Sequence, residues 1–105
     1  MKTSRLYFLT IGQIREEMYK ITDEETLNIE DMAHLIDSAV ALLKTTPLSE
    51  ISGNEKIKNY EELCKYTEVL YKNAMERNRK YTSKLAHLLF ICKREKCFFE
   101  SKSRG

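Results

Sequence analysis

Asn73-Ala-Met-Glu-Arg-Asn-Arg-Lys80 is the stretch whose reading decides how this chain of 105 residues folds. Upstream of it, Ile57, Tyr60, Leu63, Cys64, Thr67, Leu70, Tyr71 and Ala74 share one helical face, with Lys56, Lys58, Glu61, Glu62, Lys65 and Glu68 mostly outside it. Downstream, Leu85, Leu88 and Cys92 continue the pattern at steps of three and four. Positions 57, 64, 71, 78, 85, 92 and 99 are spaced by seven, so a single helix over 54–99 would keep its register, as a coiled coil does. Against that, Asn78 would sit in the apolar seam, Glu95 would take a partner position, and the quoted residues are short of large apolar side chains. The reading favours a turn or kink within 73–80, which gives helices over 54–75 and 79–98 and leaves residues 100–105 as a flexible tail. One continuous helix stands as the alternative.

Working back from this half, Ser52-Gly-Asn-Glu55 forms a capping box for the third helix, the hydroxyl and the carboxylate each satisfying an orphan amide. Thr45-Thr46-Pro47 ends the helix before it, since proline cannot continue the ladder and pushes its predecessor out of the α region. That second helix, 29–44, carries Ile29, Met32, Ala33, Ile36, Val40 and Leu43 on one face, widened by Leu35, Ala39 and Leu42. It should be the most buried element, with His34 on its rim. Asn28 is placed to cap it, and Glu30 and Asp31 favour the positive end of its dipole. Thr22 to Leu27 is a polar, acidic break. Before it, Tyr7, Ile11, Ile14, Met18 and Ile21 make the stripe of an N-terminal helix over 5–21, despite Gly12 in its interior.

Composition agrees with a single domain of the all-α class, a small three- to four-helix bundle. Hydrophobic residues make up 42% and charged residues 32%, while three Gly and one Pro are too few turn formers for a many-stranded β fold. An odd count of three cysteines argues against a disulfide scaffold and for a reducing compartment, hence an intracellular chain, nuclear or cytoplasmic. The apolar run Leu6 to Ile11 is too short for a signal-peptide core, and no segment approaches a membrane span. Residues 1–52 hold five Lys/Arg against nine Asp/Glu and residues 53–105 thirteen against seven, so an acidic half faces a basic half.

No glycine-rich phosphate loop, nucleophile elbow or paired metal-binding carboxylates appear, so no catalytic residue is assigned and the chain does not read as an enzyme. His87, Cys92 and Cys97 are the types zinc prefers, but steps of five on a helix turn each side chain about 140° from the last. They cannot converge on one ion, so no metal or other cofactor is expected. Cys64 and Cys92 read as small core residues. The basic residues from Lys72 to Arg104 are diluted by Glu76, Glu95 and Glu100 and lack a nucleic-acid motif, which makes direct nucleic-acid binding a poor reading.

The order His34-Leu-Ile-Asp-Ser-Ala-Val-Ala-Leu-Leu43, the Thr46-Pro47 break, Ile57-Lys-Asn59, and Leu70-Tyr-Lys-Asn-Ala-Met-Glu-Arg77 with Tyr81 and Leu85-Ala86 resembles the KIX domain of transcriptional coactivators and Mediator tail subunits over residues 31–96. The resemblance implies a KIX-like three-helix core with an extra N-terminal helix, acting as an adaptor in transcription regulation. It also implies a groove between the 29–44 and 79–98 helices that takes an amphipathic activation-domain helix. Leu35, Ser38, Ala39 and Leu42 would line one wall, and Tyr81, Ala86, Leu89, Phe90, Lys93 and Arg94 the other. Ser38 stands where the coactivator domain has a lysine, and Phe90 where it has a tyrosine that helps hold a phosphoserine, so phosphate dependence is not expected.

From the residues alone, the surplus of apolar helix faces predicts a non-catalytic protein–protein interaction module that binds a partner's amphipathic helix. The competing expectation is a structural coiled-coil or bundle subunit of a homo- or hetero-oligomer. On the last helix, Leu85, Leu88 and Cys92 should be core, while Leu89 and Phe90 lie at its edge as the best hot-spot candidates.

Overall fold

A computed structural model describes residues 3–21, 29–77 and 79–104. Four α-helices follow in order: α1 (Thr3–Ile21), α2 (Ile29–Thr45), α3 (Gly53–Arg77) and α4 (Thr82–Arg104), with a single 3-10 turn at Arg79–Tyr81 leading into α4. No strand occurs among the described residues. The polar break at 22–27 and the Asn28 cap lie outside them.

The chain turns back after α3. A single helix spanning 54–99 would be about 69 Å long at about 1.5 Å per residue, whereas the longest dimension of the molecule is 42 Å. The direction of the return is read from the pairs that meet. Tyr60 stacks on Phe99, Lys96 reaches Glu61 and Lys93 reaches Glu68, so numbers rise on one helix as they fall on the other and α4 runs antiparallel to α3. On α2, Glu30 meets Tyr81 and Lys44 meets Glu95, so α2 and α4 run parallel. Helix α1 packs on α2 and reaches the start of α3, where Tyr7 Oη donates to Asn59 Oδ1 at 2.9 Å. The first helix therefore extends the bundle to four.

The core follows the stripes in the sequence closely. Tyr7, Ile11 and Ile14 of α1 are fully buried, as are Ile36, Ala39 and Leu43 of α2, Leu63 and Leu70 of α3, and Leu85 and Cys92 of α4. The helix ends are set as the local chemistry requires. Ser52 Oγ accepts from Glu55 N at 3.2 Å, half of the expected box. After α2, the buried Thr46 donates its hydroxyl to Leu42 O at 2.6 Å, and Pro47 O accepts from Glu50 N and Ile51 N. The loop thus satisfies its own backbone while burying Ile51 completely.

Three expectations are corrected. Lys56 is buried rather than outside the α3 face, because its stem runs along the core and its ammonium lies 5.0 Å from the Phe99 ring centre. Loss of water there pulls its pKa down, against a smaller upward pull from Glu95. His34 is exposed, since it points away from the buried arc of α2. Residues 100–104 belong to α4 rather than to a tail, supported by Phe99 on Tyr60, Lys102 over Phe98 and the Lys96–Glu100 pair one turn apart.

Candidate functional site

Among the described residues, no group of three or more His, Cys, Asp or Glu is arranged to hold a metal ion, and no helix is long and apolar enough to cross a membrane. The candidate surface is therefore read from exposed apolar side chains and the clefts between helices.

Helix α4 separates into a core face and an outer face, as the spacing of its apolar residues predicts. Leu88 is 2% exposed, whereas Phe90, turned about 200° from it by helical geometry, is 61% exposed. Arg94 lies one turn on, its guanidinium 5.8 Å from the Phe90 ring centre, a cation–π contact at an exposed site. Leu89 is half-buried between the two faces, and Ala86, Lys93 and Arg94 are exposed.

The ten residues expected to line a partner groove do not come together on one groove. The cleft between α2 and α4 is lined by Asp37, Val40, Ala41, Lys44, Thr45 and Ile91, none of them among the ten. Leu35 and Leu42, both half-buried, lie on the opposite flank of α2, and Ala39 is fully buried, so it offers no surface in the free protein. Tyr81 is half-buried beneath the start of α2, its hydroxyl donating to the Glu30 carboxylate at 3.2 Å. The α4 set, Ala86, Leu89, Phe90, Lys93 and Arg94, lies on the outer face and on the flank toward α3, where Lys93 meets Glu68 at 3.7 Å.

That flank of α4 and the matching flank of α3 form a furrow with two unlike ends. The antiparallel register carries Tyr71 and Met75 of α3 past Ala86 and Leu89 of α4 near the turn. Met75 is 46% exposed, and Tyr71 and Leu89 pack half-buried against the core. Phe90 follows Leu89 on the outer face of α4. The far end is a charged cleft of about 410 Å³ lined by Glu61, Cys64, Lys65, Glu68, Lys93 and Lys96. Cys64, on its wall, shares a side-chain hydrogen bond with the fully buried Cys92. That bond, with Lys93 and Lys96 adding to it against the cost of burial, holds the Cys64 thiol below its ordinary pKa, while the same bond and burial push Cys92 up. Sequence periodicity placed both cysteines in the core but gave no sign that they meet, because contact across two helices is not a local property.

Elsewhere, Arg15 grips Glu62 with two nitrogens, one at 2.7 Å, and Tyr66 donates its hydroxyl to the same carboxylate. Hydrogen bonding from Arg15 holds Glu62 below the usual carboxylate range. Loss of water and the bond to Glu62 push the Tyr66 hydroxyl up to about 12. This knot ties α1 to α3 and reads as structural.

Comparison of the chain with protein-family models, with curated proteins and with solved structures finds no match. The fold class is that of a small all-α bundle.

Proposed function

We propose that this protein is a non-catalytic interaction module that binds an acidic amphipathic helix of a partner protein along the α3–α4 furrow. The observation that carries the reading is Phe90, a large aromatic ring left 61% exposed next to the half-buried Leu89 on α4, with Met75, 46% exposed, on the helix packed against it. A helix presenting apolar side chains at steps of three and four matches such a strip, and aromatic anchors at the edge of a packed surface are common binding hot spots. Charge selects the partner. Helix α4 carries six Lys/Arg against two Asp/Glu, and the Lys93–Glu68 and Lys96–Glu61 pairs are exposed and therefore weak, so carboxylates flanking the incoming helix can exchange into them.

The reading keeps the amphipathic-helix partner expected from the sequence and moves the groove from the α2–α4 side to the α3–α4 side. An adaptor role in transcription, as in KIX domains, belongs to the same proposal and rests on the sequence resemblance alone. A labelled helical peptide with apolar residues at i, i+3, i+4 and i+7 and glutamates beside them, followed by fluorescence polarisation, tests it. Binding that weakens at least tenfold with Phe90→Ala, and also with Lys93→Glu, supports the reading; equal binding of a lysine-flanked peptide, or no effect of either substitution, contradicts it.

A further inference from the structure

Helix α4 carries a second exposed feature that helix docking in the furrow leaves unused. Phe90, Arg94, Phe98 and Lys102 follow one another at steps of four, so each is turned only about 40° from the last and together they form a ridge. Ring and cation alternate along it. The Arg94 guanidinium lies 5.8 Å from the Phe90 ring centre, and the Lys102 ammonium 4.9 Å from that of Phe98. The two rings are 61% and 50% exposed, whereas Phe99, the neighbour of Phe98, turns inward to stack on Tyr60. Charge on this helix is sorted in the same way. From Thr82 to Lys102 its exposed charged residues are Lys84, Lys93, Arg94 and Lys102, all cationic, while Glu95 and Glu100 are half-buried and engaged by Lys44, Arg94 and Lys96. Glu68 of α3 reaches Lys93, at the furrow and off the ridge.

We propose that this ridge docks on the surface of an anionic lipid bilayer, with Phe90 and Phe98 entering the headgroup layer and Arg94 and Lys102 pairing with the lipids' phosphates and carboxylates. Among the described residues no helix is long and apolar enough to cross a membrane, so the contact lies on the surface. Shape and charge select this occupant. The ridge is convex and runs about 18 Å from Phe90 to Lys102 at about 1.5 Å per residue. A partner helix needs a furrow to lie in, whereas a soft, flat surface meets a convex ridge along its whole length. Aromatic rings and cations on long apolar stems settle together at a headgroup boundary, the rings below and the charges at phosphate level. Like charge keeps the ridge from pairing with its own copy on a second chain. A nucleic-acid strand would match the charge, but its bases bind by stacking on ring faces, and a cation already stands over Phe90 and over Phe98. Phe90 serves both the furrow and the ridge. Phe98, turned about 140° from Lys93 of the furrow, serves the ridge alone.

Co-sedimentation of the full-length protein with lipid vesicles at low salt tests the proposal. Binding to mixed phosphatidylcholine–phosphatidylserine vesicles, with none to pure phosphatidylcholine, is the expected result, and it should weaken as salt is raised. An Arg94→Gln, Lys102→Gln double variant changes only exposed groups. At about fivefold for each cation near an anionic surface, it should bind roughly tenfold more weakly or worse. Phe98→Ala should weaken vesicle binding several-fold and leave binding of the acidic peptide unchanged. Equal binding to neutral vesicles, no binding to either kind, or wild-type binding by both variants overturns the proposal. Peptide binding that falls in step with vesicle binding in Phe98→Ala overturns the ridge as a surface separate from the furrow. A single-stranded RNA oligonucleotide that displaces the protein from the vesicles, and that loses affinity in the same variants, assigns the ridge to nucleic acid and overturns the lipid reading. The vesicle results stand whether or not the peptide binds, so failure of one surface is visible apart from failure of the other.

Discussion

Leu88 and Phe90 lie two residues apart on α4, and truncation to alanine should affect them very differently. Leu88 is 2% exposed in the core cluster, so Leu88→Ala removes buried methyl groups and leaves a cavity, at a cost of about 2–5 kcal/mol. Phe90 is 61% exposed; of roughly 200 Å² for a phenylalanine side chain, about 80 Å² is covered, worth about 2 kcal/mol at most. Burial already present in the denatured chain lowers that figure by roughly 10–40%. Alanine's better helix propensity returns about 0.5 kcal/mol. Phe90→Ala should therefore cost about 1 kcal/mol, a fall in melting temperature of roughly 4–8 °C for a domain of this size. Urea unfolding followed by circular dichroism measures both variants on one scale. A Phe90→Ala midpoint that falls as far as that of Leu88→Ala would refute the division of α4 into a core face and an outer face, and with it the docking strip.

Four further substitutions test the packing. Gly12 sits inside α1 with ordinary negative φ and nothing within 4 Å of where a Cβ would stand, so Gly12→Ala should raise stability by about 0.5–1 kcal/mol in thermal melts. Tyr7→Phe removes the 2.9 Å bond to Asn59 and should cost about 1 kcal/mol, whereas Tyr60→Phe removes a buried hydroxyl that has no partner and should be neutral or stabilising; urea midpoints of the pair check the contrast. Glu62 is held below its ordinary pKa by Arg15, so its contribution is present above the unfolded value near 4.3 and is lost as pH falls through the lower folded value. The stability gap between wild type and Glu62→Gln should accordingly close on acidification, and because Arg15 is 47% exposed it should stay below about 1 kcal/mol at neutral pH.

Much of the fold is legible in the chain because each helix carries its stripe on one face. Ile29, Met32, Ala33, Ile36, Val40 and Leu43 read as one arc of α2, and all are buried. The return after 73–80 was marked by polar residues in the would-be seam, and the structure places the end of α3 and the 3-10 turn there. Periodicity tells which face of a helix is apolar but not which neighbour takes each flank. The pairing of Leu35 and Leu42 with Leu89 and Phe90 across a groove rests on the family resemblance and not on periodicity, and it is Ile91 that faces α2. Lys56 was illegible for a related reason: its burial depends on Phe99, 43 residues away, lying over its ammonium. The helical end of α4 depends on the same distant stacking between Tyr60 and Phe99.

The most direct test of the proposed docking surface is a backbone amide NMR titration of the intact protein with the acidic amphipathic peptide. Shifts concentrated at Tyr71, Met75, Ala86, Leu89, Phe90 and Lys93, with α1 unmoved, are the result expected of a helix lying in the α3–α4 furrow. Shifts confined to Asp37, Ala41 and Ile91 on the α2–α4 side, or no saturable shifts at all, would contradict it.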